Sequence, residues 1–180
     1  KKADVCINLI GILFEKGSNN FKNIHEKFPN MISNLCRKHK INKLIHLSAL
    51  GIENAKDSKY ATSKLNGEIL VRKNFNNTII LKPSIVYSVD DNFTTTLMGL
   101  LNLIPVFPLY YGGKTKFMPL HCSDICNLIL DMIENETNEI TIECIGPEEL
   151  TFKQMVEKLL KLIEKKRLFL PLPITIANIM

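Results

Sequence analysis

No apolar run in this 180-residue sequence reaches the roughly 20 residues that a membrane-spanning helix needs, so no helical span is expected within it. The charge is mildly basic, 23 Lys and Arg against 18 Asp and Glu, but no stripe of cations alternates with aromatics, which argues against nucleic acid as a partner. The five cysteines, Cys6, Cys36, Cys122, Cys126 and Cys144, are odd in number and scattered, which suits reduced thiols in a cytosolic or matrix compartment rather than a disulfide framework. His121, Cys122 and Cys126 lie close together, yet no second close-spaced pair completes a tetrahedral set, and no metal site is expected. Internal repeats and low-complexity linkers are also missing. No signal peptide can be read, and both ends predict a piece of a longer chain: Lys1 stands two residues before an apolar strand and Met180 ends inside an apolar segment.

What is present is 46% hydrophobic, enough for one good core. Asp4 to Ile10 is nearly continuous in apolar residues, as buried parallel strands are, with Asn8 interrupting it and Gly11 ending it. Phe21, Ile24, Phe28, Met31, Ile32 and Leu35 recur at helical spacing, predicting a crossover helix from Phe21 to Lys40 that Pro29 kinks or restarts. His25 and His39 on it are expected at the surface. A strand over Lys43–Ser48, a helix over Ser58–Phe75 and a strand over Thr78–Leu81 complete a βαβ unit, whose ligands gather at the strands' carboxyl ends. Farther on, Asp90, Asp91 and Asn92 form a polar turn, Phe93 to Ile104 is amphipathic, and Asp124 is expected to cap a helix over Ile125–Ile133. A strand is expected at Thr141–Ile145, and Thr151 with Gln154 forms a capping box before the last helix.

The stretch IHLSALGIENAKDSKYATSK, Ile45 to Lys64, concentrates the chemistry. Ser48 ends a strand, Tyr60 follows twelve residues later in the first turn of a helix, and Lys64 stands four residues beyond. That last spacing puts phenol and ammonium on one helix face, about 5–6 Å apart at Cβ. An ammonium beside a phenol favours the phenolate, bringing a group of pKa about 10 toward useful proton exchange. The plainer alternative is that Tyr-x-x-x-Lys is a frequent pair in a lysine-rich chain and that Lys64 forms a surface ion pair with Glu68 at i+4.

Ser48, Tyr60 and Lys64 resemble the catalytic triad of the short-chain dehydrogenase/reductase superfamily, in its extended branch of NAD-dependent epimerases and dehydratases. DVCINLIG from Asp4, LKPSIVY from Leu81 and FMPLHCSDI from Phe117 resemble other stretches of that branch, in the same order. A narrower likeness, to the dehydrogenase-like accessory subunits of respiratory complex I and their bacterial relatives, rests on INLIGILFE, LIHLSALG, PLYYGGKTKFMPL and RLFLPLP. Lys82 stands where the branch usually has Arg, and Ser88 where Gly is usual. The Gly-rich turn G-x-x-G-x-x-G and the residue that reads the ribose are not found, so NAD is not distinguished from NADP.

The resemblance implies an α/β Rossmann-type, doubly wound parallel sheet whose first strands lie outside this sequence, with a small C-terminal substrate lobe. Residues 1–91 would belong to the nucleotide-binding domain, interwoven with a mixed region over 92–180. Ser48, Tyr60 and Lys64 would be catalytic, and Asn8, Gly11, Pro83 and Ser84 would join them around NAD or NADP. The implied role is an accessory or assembly subunit of NADH:ubiquinone oxidoreductase; the alternative is an active oxidoreductase or epimerase in which Tyr60 is the acid/base. The basic residues Lys158, Lys161, Lys165, Lys166 and Arg167, followed by LFLPLPITIANIM, suit contact with complex I subunits or an anionic membrane surface. The corresponding location is the matrix side of the mitochondrial inner membrane, or in a bacterium the cytoplasm, peripheral to the inner membrane.

Overall fold

The computed structural model describes residues 3–137 and 140–172. It divides into two compact units, one of residues 1–83 and 125–144, the other of residues 84–124 and 145–180.

The first unit is built on four parallel strands, β1 (Val5–Asn8), β2 (Lys43–Leu47), β3 (Thr78–Pro83) and β8 (Thr141–Cys144), in the order β1-β2-β3-β8. Alternation along the strands divides the side chains between the faces. Leu44 lies with Cys36 and Val71, contributed by α1 (Phe28–Lys38) and α2 (Lys59–Asn74), in one buried cluster. Lys43, of opposite parity, reaches the carbonyls of Met132 and Asn135 at the end of α4 (Cys122–Glu134).

Before α1 stands a turn of π-helix, Lys22–Lys27, and Pro29 occupies the first turn of α1 directly after it. The chain stays helical through the proline, passing from the π turn directly into α1, and the widened turn places His25 inward, leaving it 2% exposed and correcting its expected surface position. Helix α2 begins at Ser58, whose hydroxyl accepts from the Ala61 N–H at 3.3 Å. Its buried residues include Ala61, Lys64, Glu68 and Val71, a helical stripe that is half charged.

In the second unit, β5 (Val106–Tyr110) pairs in parallel with β10 (Leu168–Leu172), and α3 (Asn92–Leu103) and α5 (Phe152–Leu162) complete a core of Leu97, Leu101, Phe107, Leu109, Val156 and Leu160. Asp91 caps α3 by accepting from the Thr94 N–H at 2.6 Å, and Thr151 caps α5 in the expected reciprocal box with Gln154. Shorter pairings are β4 (Val86–Tyr87) with β7 (Leu120–His121), and β6 (Lys116–Phe117) with β9 (Leu150–Thr151). Helix α4 starts at Cys122, so Asp124 lies inside its first turn rather than capping it. The His121 Nδ1 takes the capping role by accepting from the Ser123 N–H at 3.3 Å. Of the C-terminal apolar segment, residues 173–180 lie outside the described residues.

Candidate functional site

The carboxyl end of β2 assembles the site. The Ser48 N–H donates to the Leu81 carbonyl at 2.7 Å, continuing the ladder one residue past the strand, and the side chain is 4% exposed with its hydroxyl unpartnered. Lys64, 6% exposed, donates from Nζ to the Leu47 carbonyl at 3.2 Å, which anchors the ammonium beside that strand end. Tyr60 lies half-buried one helical turn earlier.

The electrostatics depart from the expected phenolate. Burial pushes the Tyr60 phenol above its ordinary value. Burial also lowers Lys64 itself to about 8, with Glu68 opposing. Nor is Lys64 a surface partner of Glu68: that carboxylate binds Lys82 at 3.1 Å, and Lys82 also reaches Glu53. Burial alone would lower Lys82, but the hydrogen bonds it donates to Glu53 and Glu68 raise it.

Asn8 faces inward at 4% exposure. Its Oδ1 accepts from the Ile10 N–H at 3.2 Å, which fixes the amide so that Nδ2 donates to His46 Nδ1 at 3.0 Å. His46 is therefore the Nε2–H tautomer, with that nitrogen buried and unpartnered. Gly11 sits against the ammonium: a Cβ there would lie 3.1 Å from Lys64 Nζ. Pro83 ends β3, buried, and its carbonyl accepts from the Leu50 N–H at 3.0 Å. Asn8, Gly11, Ser48, Tyr60, Lys64 and Pro83 all belong to the first unit, whereas Ser84 belongs to the second, where its hydroxyl accepts from the Met118 N–H at 3.2 Å. In that unit, Ser88 secures the following loop by donating from its N–H to Asp91 Oδ2 and from its hydroxyl to Asp90 Oδ1, each at 3.2 Å.

Over 174 residues the chain is 24% identical to the mitochondrial 40 kDa subunit of NADH-ubiquinone oxidoreductase from Neurospora crassa, covering 96% of this chain and 45% of that protein. Subunit 9 of the NADH dehydrogenase (ubiquinone) 1 alpha subcomplex is 25% identical in Arabidopsis thaliana, covering 99% of this chain, and 25% identical in Mus musculus, covering 98%. In sequence, this chain resembles a complex I subunit. It spans 45% of the plant protein's length and 47% of the mouse protein's. No family model matches. Among solved structures, a dTDP-4-dehydrorhamnose reductase from Clostridium acetobutylicum superposes with a TM-score of 0.78 at 16% identity, covering 94% of this chain and 65% of that one. A UDP-glucuronic acid 4-epimerase from Bacillus cereus, in complex with UDP-glucuronic acid and NAD, gives 0.76 at 21%, covering 94% and 62%. The fold is accordingly the Rossmann type of these reductases and epimerases.

Proposed function

We propose that this chain is part of a nicotinamide-dinucleotide-binding accessory subunit associated with NADH:ubiquinone oxidoreductase, in which the nucleotide serves structure rather than turnover. The observation that carries this reading is the similarity to complex I subunits of a fungus, a plant and an animal along 96–99% of the chain. The residues of the first unit fit the nicotinamide end of such a nucleotide. The Ser48 hydroxyl is buried without a partner, and the space that a Cβ at Gly11 would fill lies next to the Lys64 ammonium. A bound nucleotide would supply hydroxyl and amide groups there, and Lys64 would hold a ribose hydroxyl while Ser48 offers a donor. The sequence contains no Gly-rich phosphate turn, and the related folds include complexes with NAD and with NADP. The location proposed is the matrix side of the mitochondrial inner membrane; no described helix is long and apolar enough to cross a membrane.

The C-terminal basic segment contributes a contact surface. Arg167 is committed inward, donating to the carbonyls of Leu101 at 2.7 Å and Asn102 at 3.2 Å at the end of α3. Val106, Leu168 and Leu170, by contrast, are 42%, 72% and 51% exposed on one face of the β5–β10 pair. With Lys166 beside it, this face would rest on a complex I subunit or an anionic bilayer.

A second reading, an active oxidoreductase or epimerase, is favoured by the retention of Ser48, Tyr60 and Lys64 around one strand end. In that mechanism Tyr60 would exchange the proton, and the raised phenol works against it. The test is nucleotide retention by the full-length protein with Lys64→Met and Tyr60→Phe. The structural reading expects Lys64→Met to lose nucleotide and Tyr60→Phe to leave electron transfer by the assembled complex unchanged. An oxidoreductase activity of the isolated protein that disappears with Tyr60→Phe would replace it with the enzyme.

A further inference from the structure

A buried histidine outside the triad joins the loop after β1 to the helix that carries Tyr60 and Lys64. His25 Nε2 accepts from the Ile12 N–H at 3.1 Å, so that nitrogen carries no proton. Its Nδ1 lies 2.9 Å from Ser63 Oγ, and Ser63 in turn donates to the Tyr60 carbonyl at 2.7 Å. Only one assignment satisfies all three contacts: a neutral imidazole protonated at Nδ1, donating to Ser63. The ring is also wedged between aromatics, stacked on Phe21 at 5.3 Å and edge-on to Tyr60 at 5.3 Å. Burial, with Lys64's charge adding to it, holds the imidazole neutral down to about 4. The residue bonded by this chain, Ile12, adjoins Gly11, which packs against the Lys64 ammonium.

We infer that His25 is a positioning residue: as a fixed Nδ1–H tautomer it clamps the Gly11–Ile12 backbone to the N-terminal part of α2, setting how closely that backbone packs against the Lys64 ammonium that would hold the nicotinamide ribose. The inference rests on the nucleotide-binding reading above. A protonated imidazole could not make the bridge, because Nε2 would then confront the Ile12 N–H with a second donor. An aromatic hydrocarbon would fill the space but leave the Ile12 N–H and the Ser63 hydroxyl without their partner. A glutamine carries one acceptor and one donor and can reproduce both bonds.

The experiment uses full-length protein labelled with 15N-histidine, with ring-nitrogen NMR, exchange of the Ile12 amide and NADH titration measured on wild type, His25→Gln, His25→Phe and Ser63→Ala. The ring spectrum is expected to show His25 protonated at Nδ1 and not at Nε2. His25→Phe is expected to weaken NADH binding and speed Ile12 exchange by about tenfold each, the equivalent of one lost hydrogen bond, while His25→Gln stays near wild type. Ser63→Ala, which leaves the ring in place, falls between them and serves if His25→Phe does not fold. An Nε2–H tautomer, or equal losses in the Gln and Phe variants, overturns the clamp. If wild-type protein binds no NADH while the tautomer and the exchange pattern hold, the nucleotide reading falls and the clamp stands as a structural bridge.

Discussion

Gly67 on α2 faces the backbone carbonyl of His25 so closely that a Cβ placed there would overlap the oxygen. The π turn and α2 therefore meet backbone to backbone, and the absence of a side chain at Gly67 permits it. Ala in place of Gly inside a helix ordinarily stabilises by about 0.5–1 kcal/mol. Here Gly67→Ala is expected to destabilise the full-length protein by about 1–3 kcal/mol through overpacking. Urea unfolding decides the sign, and a gain in stability would mean that the two backbones are not in contact.

The buried ion pair gives a second expectation. Glu68 Oε2 binds Lys82, while its Oε1 is buried with no partner. An ammonium is a point donor, whereas a guanidinium presents two parallel N–H groups to one carboxylate. Lys82→Arg is expected to satisfy Oε1 and stabilise by about 1 kcal/mol. Lys82→Met leaves the buried Glu68 carboxylate without its hydrogen-bonding partner, and should cost about 3–5 kcal/mol. Thermal unfolding of the two variants, compared with wild type, separates these outcomes.

Acid sensitivity follows from His25 and His46. Burial, then Lys64's charge, lowers each to about 4, with His25 adding a smaller effect on His46. Between the unfolded value of about 6.5 and the folded value, the unfolded chain binds protons that the native protein refuses. Stability is thus complete above about pH 6.5 and falls as the pH drops toward 4, by at most about 1.4 kcal/mol per pH unit for each histidine. Unfolding measured across that window should show the slope in wild type and a shallower one in the His25→Gln, His46→Gln double variant.

Lys64 acts at the other end of the scale, since burial lowers it to about 8. Below that pH both folded and unfolded states carry the proton, and the cost of the buried charge is constant. Between about 8 and the unfolded value of about 10.4, the native protein sheds the proton first and stability rises. Lys64→Met is expected to be more stable than wild type at pH 7 and to lack the alkaline rise, while binding nucleotide more weakly. A variant that lost stability at pH 7 would show that the ammonium is held by stronger interactions than the Leu47 carbonyl.

The parallel sheet was legible because its strands are short, largely apolar runs separated by helical patterns. His25 was not. Its neighbours Asn23, Glu26 and Lys27 are polar, and a π turn displaces it from the 3.6-residue periodicity by which an inward face is recognised. The buried stripe of α2 was hidden for a related reason: Lys64 and Glu68 interrupt it, and only the three-dimensional position of Lys82 accounts for the carboxylate. The direction of the Tyr60 shift was equally out of reach, because i, i+4 spacing fixes proximity to an ammonium but says nothing of how far the phenol is desolvated. Asp124 had the composition of a cap, yet the helix began two residues earlier, where His121 accepts from the Ser123 N–H.

The most direct measurement is to isolate the full-length protein from its native membranes under mild conditions, resolve NADH:ubiquinone oxidoreductase by size, and assay the same fractions for this chain and for bound nicotinamide nucleotide. The structural-subunit reading predicts that chain and nucleotide migrate together with the complex in constant ratio, and that the nucleotide is neither oxidised nor reduced during turnover. A free protein that exchanges nucleotide readily and catalyses a reaction lost with Tyr60→Phe would contradict it.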